Sequence, residues 1–284
     1  KLKLILQISV SCGCLLWIGY VMSGMDWSAA GRLLQQINYG YLLLSLLLII
    51  GLYSSRLWRL RLWAAYLSKT KLSTEDWIGL YLKSIALGSI TPGRLGDFSR
   101  VGLLKKTNLN LATRTRLVFF EKFFDLLYVP LMIFTAAKTI AYRFNLDPVF
   151  LNILGISLIC TFILISLIAG RYFGRQCLTA GYIMTFFGFL IFILANSLLF
   201  WSLGIDLGLF DIAAITIAVG VLANLPVSIG GLGIREGALL VILGQWGIEA
   251  TRAAPILLLE FFVNMAFPLL LLMVWRLFSA KRDA

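Results

Sequence analysis

The chain has 284 residues, 60% of them hydrophobic and only 13% charged, where a soluble domain has roughly 45–50% and about 25%; it reads as an all-α polytopic membrane protein. It contains no histidine, which excludes His-ligated zinc or haem, Ser-His-Asp triads and any phosphatase or protease that needs an imidazole. The formal charge of +12 points, in a membrane protein, to loops facing anionic lipid at the cytoplasmic face and not to nucleic acid.

A helix needs about 20 apolar residues to cross a bilayer. In chain order, continuous apolar stretches cover 4–22, 41–63, 117–137, 149–170, 182–203 and 253–276. The first lacks a small-residue cleavage site and is expected to be a retained helix. It holds Cys12 and Cys14, which with Cys160 and Cys177 form neither a disulfide framework nor a metal cage by spacing. Two further apolar segments are interrupted. One, 76–104, breaks at Thr91-Pro92-Gly93; the other, 209–247, breaks at Pro226 and at Gly230-Gly231-Leu232-Gly233.

Lysine and arginine on short loops set topology. With a cytoplasmic N-terminus and both interrupted segments returning to their own side, sixteen Lys and Arg fall on the cytoplasmic side, Arg56, Arg59, Arg61 and Lys105 among them, and four fall outside. The expected fold is therefore about six full transmembrane helices plus two opposed re-entrant helical hairpins in one integral-membrane domain over 1–284, with both termini cytoplasmic. Trp58, Trp63, Trp77 and Trp275 fall near the inner interface, and Trp17, Trp27, Trp201 and Trp246 near the outer one, as aromatic belts would. Irregular backbone at membrane depth survives only where it is buried in protein or lines a cavity. Two broken elements entering from opposite faces resemble the surroundings of a transporter's midplane site.

Five cations then remain at membrane depth: Lys83, Arg94, Arg100, Lys122 and Arg235. Five acids match them: Asp97, Glu121, Asp125, Glu236 and Glu260. Each buried charge costs about 2.5–3.5 kcal/mol on insertion scales, so all ten are expected to face a polar interior and pair. Arg94, Asp97 and Arg100 are spaced to share a helix face after the Pro-Gly break. Arg235 and Glu236 follow the second glycine run in the same way. Two helix N-termini, each with an arginine, make a phosphate cradle, since free N–H groups and the guanidinium fork both suit phosphate. Glu121 and Asp125, and likewise Glu260 and Asn264, share faces at i, i+4. The acids could balance the arginines, act as an acid/base pair or carry protons, or simply hold the hairpins in place.

Three stretches carry a resemblance: Thr91-Pro92-Gly93-Arg94-Leu95-Gly96-Asp97-Phe98-Ser99-Arg100, Phe120-Glu121-Lys122-Phe123-Phe124-Asp125, and the run 225–237 from Leu225-Pro226 through Ile234-Arg235-Glu236-Gly237. Together they resemble the lysylphosphatidylglycerol synthase transmembrane-region family, the flippase-like domain of the multiple peptide resistance factor, in its stand-alone form. The resemblance implies an inner-membrane flippase. Its cargo would be a phospholipid, an aminoacylated phospholipid or a polyprenyl-phosphate-linked glycolipid. It implies no cofactor, and it leaves room for a homo-oligomer and for a glycosyltransferase or lipid aminoacyltransferase as functional partner. The family pattern marks Pro92, Gly93, Arg94, Gly96, Arg100, Glu121, Asp125, Pro226, Gly230, Gly231, Gly233, Arg235 and Glu236. Lys122 stands where arginine is more usual, and Glu260 where many members carry a basic residue. A membrane enzyme acting on a lipid phosphate is the competing reading, with Asp97, Glu121 or Glu236 as base.

Overall fold

The computed structural model describes residues 27–68, 72–223 and 233–280. Among these, all regular structure is helical. A short amphipathic helix, α1 (Trp27–Gln35), precedes α2 (Tyr39–Leu67). At 29 residues, α2 is about 43 Å long at 1.5 Å per residue, more than the ~30 Å hydrocarbon core requires. Asn38 starts it by accepting the Gly40 and Tyr41 amides at 3.0 and 3.2 Å, the usual service of an N-cap.

Helix α8 (Arg175–Ser202) runs antiparallel to α2 along its whole length. The Asn38 amide donates to the Ser202 carbonyl at 2.8 Å, Ser45 to Ala195 at 2.7 Å, and the Trp63 indole to Cys177 at 2.9 Å. Near the Leu67 end, Trp63 packs on Phe120 and Phe124 with ring centroids 4.8 and 5.1 Å apart. Trp63 and Trp77 are thus core residues. The interfacial belt expected of them is not what they form, because their rings are enclosed by neighbouring helices.

The first interrupted segment doubles back. Helix α3 (Thr74–Ser89) is followed by a 3-10 helix over Pro92–Ser99, by the single turn α4 (Arg100–Leu103), and by a further 3-10 turn, Leu104–Lys106. Its two ends meet where Lys106 pairs with Asp76 at 3.1 Å. The returning 3-10 helix lies directly on α3: a Cβ added at Gly96 would run into the Leu87 carbonyl and the Gly88 amide. Only glycine permits that backbone contact.

The second segment also doubles back, as α9 (Leu209–Ala223) and α10 (Ile234–Gln245). Its ends meet where the Trp246 indole donates to Asp211 at 2.8 Å. Since α3 begins beside the Leu67 end of α2, where Arg61 donates to Thr74 at 3.1 Å, and α9 begins just past Ser202, the two segments enter from opposite ends of the α2–α8 pair.

Among the described residues, four helical stretches are long and apolar enough to cross a membrane: Tyr39–Leu67, Pro148–Ile168 within α7 (Pro148–Phe173), Arg175–Ser202 and Ala250–Ser279. The expected span 4–22 lies outside the described residues. The expected continuous span 117–137 is instead two helices, α5 (Leu111–Asp125) and α6 (Tyr128–Phe144). Pro130 explains the interruption, because it cannot donate to the Leu126 carbonyl and its ring crowds that turn; Val129 takes the carbonyl at 3.1 Å instead. The last stretch is interrupted too. Helices α11 (Ala250–Phe261) and α12 (Phe267–Ala280) flank a π-helical turn at Phe262–Ala266, just before Pro268.

One order therefore occurs twice: long helix, folded-back pair, interrupted helix. It spans 39–144 and again 175–280. Because α2 and α8 are antiparallel, the second unit is inverted relative to the first.

Candidate functional site: two buried ionic groups

The first folded-back pair brings one group of charges together. Asp97 and Arg100, three residues apart across the 3-10 helix, lie 3.7 Å from each other; in a 3-10 helix such residues eclipse. Arg100 also pairs with Glu121 at 2.5 Å and donates to Ser84 at 2.7 Å. Its guanidinium carbon sits 4.4 Å from the Tyr81 ring centre. Lys122 bonds Asp97 and reaches Asp125 at 3.5 Å. Arg94 stands three residues before Asp97 on the same 3-10 helix, the spacing that eclipses side chains there.

Two further cations complete this group, and both lie within a helix and not in the loop expected for them. Arg59 pairs with Asp125 at 2.5 Å and donates to Thr185 at 2.7 Å. Arg56 lies 3.8 Å from Asp125. Both sit inside the long α2, which continues eleven residues past Arg56. A positive-inside count alone assigns such residues to a loop. The signal available in the sequence was their i, i+3 spacing on one face with Trp63, a pattern of a helix face and not of a connector.

The second group is smaller. Glu236 folds back to accept the Gly233 amide at 2.7 Å, and its other oxygen accepts the Arg235 Nε at 3.0 Å. Gly233 holds φ +83°, a conformation suited to glycine. Glu236 thus occupies the start of α10, where the open cradle was expected. Glu260 accepts from Asn264 at 2.7 Å, on the helix that packs against α10. Glu260 and Asn264 stand at the interruption of the last helix, as Glu121 and Asp125 do at the interruption between α5 and α6.

Among the described residues no ion pair joins the two groups. The even match of five cations to five acids is therefore corrected as well. Lys83 belongs to neither group; its ammonium lies 5.6 Å over the Trp275 ring. Around the first folded-back pair, Arg56, Arg59, Arg94, Arg100 and Lys122 face Asp97, Glu121 and Asp125, a surplus of two positive charges. Around the second, Arg235 faces Glu236 and Glu260. Pro92 and Gly93 open the 3-10 helix and Gly96 lies on α3. Pro226, Gly230 and Gly231 lie outside the described residues. Two shallow surface depressions, at Leu240–Ala250 and Lys138–Asn152, are mainly apolar and away from both groups. Outside the spans, Lys106 and Ser73 hold the Asp76 carboxyl below its ordinary pKa by hydrogen bonding.

These features define a multi-pass helical membrane protein with ionic groups buried at two folded-back helix pairs. The chain belongs to the family described as the lysylphosphatidylglycerol synthase TM region, which matches residues 4–183. The match covers the first ionic group entirely and ends before Arg235, Glu236 and Glu260. No curated protein matches the chain significantly. Membership places it among membrane proteins with a lipid-related role.

Proposed function

We propose that the protein is a flippase that moves a phosphate-bearing lipid between leaflets of the inner membrane. The observation that carries this reading is the surplus of cations around the first folded-back pair, where Arg59 and Arg100 are buried and paired while Arg56 and Lys122 are only partly buried. Uncompensated charge in a low-dielectric interior is costly, and an incoming phosphate would relieve it. The second group, with its surplus acid, complements an amine on a zwitterionic or aminoacylated headgroup. Inverted units with interrupted helices are the construction in which transporters rock one unit against the other around a central site. On this reading the two folded-back pairs are opposed re-entrant hairpins set among six spans, with both termini cytoplasmic and anionic lipid at that face. A glycosyltransferase or lipid aminoacyltransferase would supply the cargo, and a homo-oligomer is compatible with the same arrangement.

The test is reconstitution into vesicles containing a fluorescent phosphatidylglycerol or its aminoacylated form. Translocation is read by quencher accessibility, and the lipid is then recovered for mass spectrometry. The expected result is faster translocation of chemically unchanged lipid than in protein-free vesicles. A modified lipid product without translocation would favour the enzyme reading and reject this one.

A further inference from the structure

The five cations of the first group are not equivalent. Arg59 and Arg100 are 1% and 2% exposed, and each is committed to several fixed acceptors. Arg59 holds Asp125, Thr185 and the Glu121 carbonyl; Arg100 holds Glu121 and Ser84. Moving either would leave buried acceptors bare. Arg56 and Lys122 are 18% and 24% exposed. The 3.8 Å approach of Arg56 to Asp125 is longer than a hydrogen bond; its buried Nε, like that of Arg59, has no hydrogen-bond partner, but unlike Arg59 it has no shorter contact to Asp125 through its other nitrogens. Tyr128, 8% exposed, lies beside Arg56, with its ring centre 5.2 Å from the guanidinium carbon. Arg94 holds φ +55°, uncommon for a residue with a side chain and a form of strain that collects at functional sites. Asp97 pairs with Arg100 and Lys122 and not with Arg94.

We propose that Arg56, Arg94 and Lys122 form an exchangeable seat for a phosphate group, which takes the place of Asp125 beside Arg56 and of Asp97 beside Lys122, while Arg59 and Arg100 stay fixed. The proposal rests on the phosphate-lipid reading above and adds which cations touch the ligand. The three come from three elements: α2, the 3-10 helix and α5. A phosphate bridging them would draw the folded-back pair toward the interrupted helix. Asp97 and Asp125 keep Arg100 and Arg59 as partners after the exchange, so neither acid is stranded. The Arg56 guanidinium and the Tyr128 hydroxyl beside it are donors that can turn to phosphate oxygens.

The test is lipid binding to the full chain in detergent, read by native mass spectrometry. The probes are phosphatidylglycerol, diacylglycerol of the same acyl chains, and inorganic phosphate as competitor. Wild type is expected to prefer phosphatidylglycerol over diacylglycerol. Arg56→Gln, Arg94→Gln and Lys122→Gln should each weaken that binding roughly 10- to 100-fold, the size of a lost charge-assisted contact. Arg59→Lys and Arg100→Lys should lower thermal stability yet keep affinity within about threefold. The Gln variants leave each acid with another partner, so they should fold and report on binding directly. No preference in wild type would overturn the phosphate-lipid reading and the seat with it. A wild-type preference retained by all three Gln variants would overturn the seat alone. Displacement of phosphatidylglycerol by low-millimolar inorganic phosphate would support the seat and assign it to free phosphate; its failure to compete would assign the seat to a lipid headgroup.

Discussion

Glu121 is fully buried, and one of its oxygens accepts from Arg100 at 2.5 Å while the other has no hydrogen-bond partner. Glu121→Gln keeps the shape and one acceptor but removes the charge. Arg100, 2% exposed, is then left with Asp97 at 3.7 Å as its nearest acid, and Lys122 competes for that carboxylate. Breaking a buried pair by removing one partner costs about 3–5 kcal/mol. Because the amide oxygen can still accept, the lower end, about 3 kcal/mol, is expected. At about 2 °C per kcal/mol for a chain of this size, the melting temperature should fall by roughly 6 °C, measured by tryptophan fluorescence in detergent. Phosphatidylglycerol should restore part of the loss, since a ligand that binds only the folded state stabilises it by mass action. Replacing both partners together, as Arg100→Met with Glu121→Leu, should cost less than either single change, because no charge is then stranded. A loss under about 1 °C for Glu121→Gln, or additive losses in the double variant, would refute the claim that this pair is buried and mutually dependent.

Gly96→Ala should cost about 1–3 kcal/mol through overpacking against the Leu87 carbonyl, seen as a lower melting temperature with little change at Gly102→Ala, where no neighbour lies within 4 Å of the added Cβ. The Asp76 carboxyl, held below its ordinary pKa by Lys106 and Ser73, contributes stability that is present above about pH 4 and is lost as pH falls through its folded value. Both partners are exposed, so the contribution is small, and Asp76→Asn should show a slightly shallower loss of melting temperature between pH 5 and 3. Lys105→Cys and Glu249→Cys should label from opposite faces of oriented vesicles; labelling of both from one face would reject opposed hairpins.

The sequence by itself determined the class of protein. Its apolar content, absence of histidine and loop charge bias left little but a polytopic helical membrane protein, and the breaks at Thr91-Pro92-Gly93 and around Gly233 marked where helices stop. It also picked out Arg94, Asp97, Arg100, Glu121 and Asp125 as residues out of place in a bilayer. Pattern alone could not say which cations meet them. Arg56 and Arg59 looked like loop charges because counting by charge assigns basic residues near the end of a span to the cytoplasmic side, whereas α2 continues past both, and α5 and α8 close over them with Asp125 and Thr185. That closure turned an even balance into a cation surplus in one group and an acid surplus in the other. Pro130 lies within an apolar run, so hydropathy read straight through it. Only in the folded chain does the turn it breaks set Asp125 beside Arg59 and the Tyr128 ring beneath Arg56. Long-range pairing of charges depends on which helix faces meet, and that is decided by packing among elements distant in sequence, not by the local periodicity a sequence displays.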